Sequence, residues 1–179
     1  MSKSRFGAIK QLGYLVDDID AGTKAWTESL GIGPWTILRN VTLEATYLGK
    51  PTSPKLNVAL SYDVEAGIQI ELIQQLNDAP SPYIEFFKAG RLGLHHTAYL
   101  IDDIDAAEQE ALAHGMELVF DIRQMDMSRY LYFRQPGLGN EVYVEFLQNT
   151  DAMQGMFSGG MEAAKSWSGN YEVTTIDLG

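Results

Sequence analysis

Residues 13–22, GYLVDDIDAG, return as residues 98–107, AYLIDDIDAA. Seven of the ten positions are identical, the other three exchange Gly for Ala or Val for Ile, and the displacement is 85 residues throughout. A repeat of this kind marks two copies of one supersecondary unit, which bury a core by pairing with each other. A weaker pair, IQIELIQQ at 68–75 and VYVEFLQN at 142–149, matches apolar residue to apolar residue at a displacement of 74. The eleven-residue difference puts extra length inside the first copy, most simply as a loop insertion around 48–54.

Both copies read alike. An alternating apolar strand (9–16; 94–101) runs into Asp-Asp-Ile-Asp, where Asp18 and Asp103 suit a helix N-cap and the following acid favours the helix dipole. These aspartates lack the spacing and terminal glutamate of a calcium loop, so capping is the reading. The helices cover roughly 20–30 and 105–113 and stop at Gly31 and Gly115, the residue type that tolerates the left-handed turn after a helix. Three strands complete each unit: 35–41, 56–61 and 68–74 in the first, 116–122, 129–134 and 142–148 in the second. The predicted fold is α+β. Two βαβββ modules, roughly 7–76 and 93–149, make one domain over 1–149, with a curved mixed sheet, helices outside and a cleft inside. Residues 150–179 form an extension. There Met153, Phe157, Met161 and Trp167 would make an apolar stripe on a short, glycine-interrupted helix, with a loosely ordered tail as the alternative.

Projected through the same displacements, Gln11 falls on His96 and Glu71 on Glu145. Strand alternation sends Leu12, Tyr14 and Val16 towards the helix and Gln11 the other way, and likewise separates Glu71 and Glu145 from Ile70, Leu72, Val144 and Phe146. Four metal-ligating side chains thus face one cleft. Two carboxylates buried together need protonation or a cation, and a divalent metal with an imidazole and an amide oxygen meets that need. The donor set suits zinc first, with cobalt, nickel, manganese or iron as alternatives, and leaves positions for water and substrate. By the same alternation His95 goes to the opposite face from His96, as a packing residue, and His114 sits at a helix end as a cap-region cation. Gln69 and Tyr143, each two residues before a glutamate, are candidate substrate-binding residues, with ordinary sheet surface as the alternative. Tyr130, Tyr132 and Phe133 read as strand packing, with alternate members available to line a pocket.

The net charge is −11 and there is no cysteine. Such a surface repels phosphate backbones and anionic headgroups, so neither nucleic acid nor membrane is an expected partner. Disulfides and thiolate chemistry are excluded, and with no apolar run of membrane-spanning length the expected location is the cytoplasm.

GLHHTAYLIDDIDAA, its weaker copy IKQLGYLVDDIDAG, the GIGPW after the first helix and the two strand glutamates together resemble the glyoxalase/bleomycin-resistance/extradiol dioxygenase assembly, the vicinal oxygen chelate superfamily, over residues 7–149. GLHHTAYLIDDID is similar to methylmalonyl-CoA epimerases, in which the second His is a ligand, here His96. The Gln, Glu, His, Glu set resembles that of eukaryotic-type glyoxalase I. The resemblance implies a metal-dependent lyase or isomerase that abstracts a proton beside a polarised carbonyl, epimerase-like ahead of glyoxalase-like. Glu145 would be the base and Glu71 its symmetry partner on the opposite face. It also implies a homodimer and a small oxygenated substrate, which Lys50, Lys55, Arg123 or Arg129 would anchor if it is acidic. The alternatives within the superfamily are a metal-free sequestration protein of the bleomycin-resistance type and a non-haem iron dioxygenase, against which Gln11 in place of a first His counts.

Overall fold

The computed structural model describes residues 4–123, 128–138 and 142–179. Its strands are β1 (Ile9–Leu15), β2 (Trp35–Thr42), β3 (Glu44–Tyr47), β4 (Lys50–Thr52), β5 (Lys55–Asp63), β6 (Ile68–Gln75), β7 (Gly93–Ile101), β8 (Glu117–Arg123), β9 (Arg129–Arg134), β10 (Tyr143–Gln148) and β11 (Val173–Asp177). The helices are α1 (Ile19–Leu30), α2 (Pro82–Lys88), α3 (Ile104–Ala113) and α4 (Asp151–Ser166).

Asp18 caps α1 by accepting from the N–H groups of Asp20 and Ala21, and Asp103 caps α3 by accepting from Ala106 N–H. Gly31 closes α1 at φ 66°, a conformation that costs a β-carbon-bearing residue energy. Each helix then covers the outer face of its own module. Leu12, Tyr14, Val16, Ile70 and Leu72 pack with Ile19 of α1, and Val144 and Phe146 pack with Ile104, Ala107 and Ala111 of α3.

The modules meet where β1 pairs antiparallel with β7, and each of these strands has the last strand of its own module parallel beside it, β6 next to β1 and β10 next to β7. The full order is β11-β2-β5-β6-β1-β7-β10-β9-β8-β3-β4. This mixed sheet curves around an inner core that includes Leu15, Leu56, Val58, Ile73, Phe120, Ile122 and Tyr132. Curvature of this kind, with α1 and α3 outside and the cleft inside, is the architecture that the repeat predicts, whereas α2 and α4 contribute to the cleft wall.

Two features depart from the expectation, and a third decides between its two readings of the extension in favour of the helix. The extra length near residue 48 is the β3–β4 hairpin, turning through Leu48 and Gly49 at φ 48° and 77°, and β3 pairs with β8 of the other module. It thereby carries Leu43 and Tyr47 into the inner core. Helix α2 was not foreseen, although Ser81-Pro82 is a legible start: the Ser81 hydroxyl accepts from Ile84 N–H, and Pro82 occupies the first turn. Finally, the extension is built into the fold. The Thr150 hydroxyl accepts from Met153 N–H to cap α4, Met153 is buried against Ala98 and Leu147, and β11 pairs parallel with β2.

Among the described residues no helix is long and apolar enough to cross a membrane.

Candidate metal centre

Four strands deliver the four polar side chains to one place: Gln11 from β1, Glu71 from β6, His96 from β7 and Glu145 from β10. His96 is fully buried, and its Nε2 lies 3.1 Å from Gln11 Oε1, 3.2 Å from Glu71 Oε2 and 3.0 Å from Glu145 Oε2. One imidazole nitrogen carries at most one hydrogen, so it cannot satisfy three converging oxygens. Glu145 Oε2 is buried without a well-aligned hydrogen bond. Glu71, His96 and Glu145 present ligand atoms within 4.8 Å of one another, a grouping able to hold a metal ion, with the Gln11 oxygen beside it. The residues therefore fit a divalent cation, whose charge would relieve the orphaned carboxylate and the crowding alike.

The imidazole reaches this point because β1 makes room for it. Gly13 is the register partner of His96, and the ring lies over it so closely that a β-carbon on Gly13 would overlap the ring atoms. In the repeat Gly13 corresponds to Ala98.

Electrostatics follow from burial and the two acids. Burial pulls the His96 imidazole down, but Glu145 and Glu71 outweigh it and push the group up to about 9. Burial raises the Glu71 carboxyl, which His96 opposes and Glu145 reinforces. Metal coordination needs the imidazole neutral at Nε2, so cation binding at neutral pH should release a proton from His96. The expected result is an affinity that climbs about tenfold per pH unit between pH 6 and about 9 and then levels, with matching proton release in calorimetry across buffers. An affinity flat over that range would contradict the geometry. In metal-free protein the sign is opposite: the stabilisation from charged His96 is complete below its ordinary value and disappears as pH rises through about 9.

His95 lies where alternation did not put it. Gly13 pairs with His96 and Tyr14 with Leu94, so His95 is the extra residue of a β-bulge and turns into the inner core rather than to the opposite face. It remains a packing residue, ringed by Tyr83, Phe86, Tyr132 and Tyr143. Its Nδ1 is 3.1 Å from His96 Nδ1. Burial and then the His96 charge hold His95 well below its ordinary value, so it stays neutral and accepts the His96 Nδ1 hydrogen, leaving Nε2 towards the oxygens.

Gln69 lines the cleft with both ends of its amide engaged. Gln11 Nε2 donates to Gln69 Oε1 at 2.6 Å, Gln69 Nε2 donates to the Tyr62 hydroxyl at 2.6 Å, and that hydroxyl donates to the Met156 carbonyl of α4. The chain fixes which way the Gln11 amide faces, with its oxygen towards His96. Tyr143 packs under His95 and beside Arg134, away from the cavity wall. His114 caps α3, as expected.

The cleft is a cavity of about 230 Å³. Gln11, Gln69, Glu71 and Glu145 line its polar end. Tyr130 and Tyr132 also line it, while Phe133 packs on the α3 side. Tyr83, brought in by α2, joins the wall and donates from its hydroxyl to Tyr132 at 2.8 Å. Burial, then the charge of Glu145, holds both phenols well above their ordinary range, so they remain protonated. None of the four suggested cationic anchors is on this wall. Arg129 binds Asp105, Glu108 and Asp121 on the outer side, Arg123 lies 3.6 Å from Asp121, and Lys50 and Lys55 sit on the β4 and β5 strands outside the lining.

Among solved structures, methylmalonyl-CoA epimerase from Mycobacterium tuberculosis is 18% identical, with a TM-score of 0.57 over 86% of this chain and 95% of that one. A variant of the Streptomyces coelicolor methylmalonyl-CoA epimerase, in complex with 2-nitronate-propionyl-CoA, is 18% identical at a TM-score of 0.54, covering 80% and 94%. A hypothetical protein from Bacillus halodurans is likewise 18% identical at 0.54, covering 80% and 95%. At these identities the likeness is one of fold. No curated protein sequence matches. The model of the glyoxalase/bleomycin resistance protein/dioxygenase superfamily matches residues 10–133, more than half of the sequence, and the chain belongs to that superfamily.

Proposed function

We propose that the protein is a divalent-metal-dependent lyase or isomerase, epimerase-like, that abstracts a proton from a carbon next to a carbonyl. The observation that carries this reading is the convergence of Gln11, Glu71 and Glu145 oxygens on His96 Nε2 in the wall of a mostly apolar cavity. A cation held there, zinc first, would supply Lewis acidity to a carbonyl with a neighbouring oxygen. The protein's own groups do the rest. Glu145, almost wholly buried, takes the proton, and Glu71, on the strand related to it by the repeat, returns one from the other side. The Tyr83–Tyr132 hydroxyl pair keeps its hydrogens and so offers donation, never a base.

The test is metal analysis of the purified protein beside its His96→Ala variant. Parent protein should hold about one zinc, cobalt, nickel or manganese ion per chain and gain thermal stability from it, whereas the variant should hold none. Parent protein that takes up no metal, and whose stability ignores chelators, would point instead to a sequestration protein using the same cavity.

A further inference from the structure

We infer that the body of the substrate, beyond the oxygens that reach the metal, is uncharged and mostly hydrocarbon; this deepens the proposed reaction and rests on its metal centre. The cavity is strongly polarised. One end holds the carboxylates, the Gln11 and Gln69 amides and the Tyr83–Tyr132 hydroxyl pair, and β2, β5, β8 and α4 add hydrocarbon, with Leu38, Val41, Val58, Ile122, Met153 and Met156 in the wall.

Charge decides between substrate classes. The only charged side chains among the described residues of the wall are Glu71 and Glu145, and a divalent cation cancels those two. A carboxylate or phosphate carried further along the substrate would then rest on hydrocarbon without a counter-ion, which is costly. No Lys or Arg among the described residues lines the wall, and four of the arginines are paired elsewhere: Arg5 to Glu110, Arg39 to Asp20, Arg134 to Glu85, and Arg129 to three carboxylates. Of the residues outside the described set, 124–127 and 139–141 contain no Lys or Arg, and 1–3 contain Lys3. The net charge of −11 adds a long-range field against anions.

The α4 helix supplies part of the apolar wall, and it is tied to the polar end through the Met156 carbonyl, Tyr62, Gln69 and Gln11. The same segment that sets the orientation of a ligand amide thus shapes the space for the substrate's body. Leu178 completes the rim and is 58% exposed, so it can be changed without disturbing the core.

The experiment is calorimetric binding to zinc-loaded protein of 2-hydroxy-1-phenylethanone and 2-hydroxycyclohexanone, each beside a carboxylated twin, and of propionyl-CoA. Metal content is measured on the same samples. The uncharged compounds should bind at least tenfold more tightly than their twins and than the thioester, and Leu178→Arg should narrow that gap by recruiting the carboxylate. Twins or thioester binding as tightly as the uncharged compounds would overturn the inference, as would failure of both uncharged compounds to bind. A preference for the uncharged compounds in protein that takes up no metal would keep the substrate class and refute the reaction proposed above, so the two failures are separable.

Discussion

Gly13→Ala should weaken zinc binding while leaving the protein folded. The ring of His96 lies over Gly13, and a methyl group there has no flexible neighbour to push aside, only a buried aromatic ring whose Nε2 faces three oxygens. Moving that ring disorders the ligand set. Zinc affinity should fall by about a hundredfold, the upper end of what disturbing a ligand's support costs. Overpacking should also cost about 1–3 kcal/mol of stability in metal-free protein. Gly159→Ala on α4 is the matched control, because a β-carbon there meets open space and removing a helical glycine should stabilise by about 0.5–1 kcal/mol. Competition with a chromophoric chelator and thermal melts of both variants check the pair. Parent-like zinc affinity in Gly13→Ala would mean that His96 does not sit where β1 allows it.

Glu145→Gln should abolish proton exchange while the metal stays. The substitution removes the proposed base but keeps an amide oxygen of the kind Gln11 already presents 3.1 Å from His96 Nε2. Losing a positioned general base costs about 10²–10⁴ in rate. Followed by NMR in heavy water with a bound hydroxy-ketone, exchange at the carbon beside the carbonyl should fall by that factor. Glu71→Gln separates the two acids: if Glu71 returns the proton on the opposite face, exchange survives in that variant and inversion is lost. Exchange in Glu145→Gln as fast as in the parent, at equal metal content, would remove Glu145 from the role of base.

Both predictions draw on positions that a local pattern could supply. A fixed displacement between two segments determines that they fold alike, and alternation along a strand is a property of the backbone itself. For this reason Asp18 and Asp103 as caps, the βαβββ order, and the alignment of Gln11 with His96 and of Glu71 with Glu145 could all be read from the chain. The apolar partners of α1 and α3 were legible on the same ground.

Features set by distant pairing lay beyond that reach. Alternation assumes an unbroken ladder, and the bulge that turns His95 inward exists only in the register between β7 and β1. The hairpin of β3 and β4 looked like a loop because its partner, β8, lies about seventy residues away, and nothing local announces such a pairing. Arg129 looked available as an anchor until three carboxylates met it in space. The apolar wall of the cavity, drawn from both modules and α4, is likewise a product of packing. The sequence by itself determined which elements form and which residues are equivalent, because those follow from local periodicity and repetition. Only the tertiary structure decided which side chains meet, because close approach depends on register and packing between segments far apart in the chain.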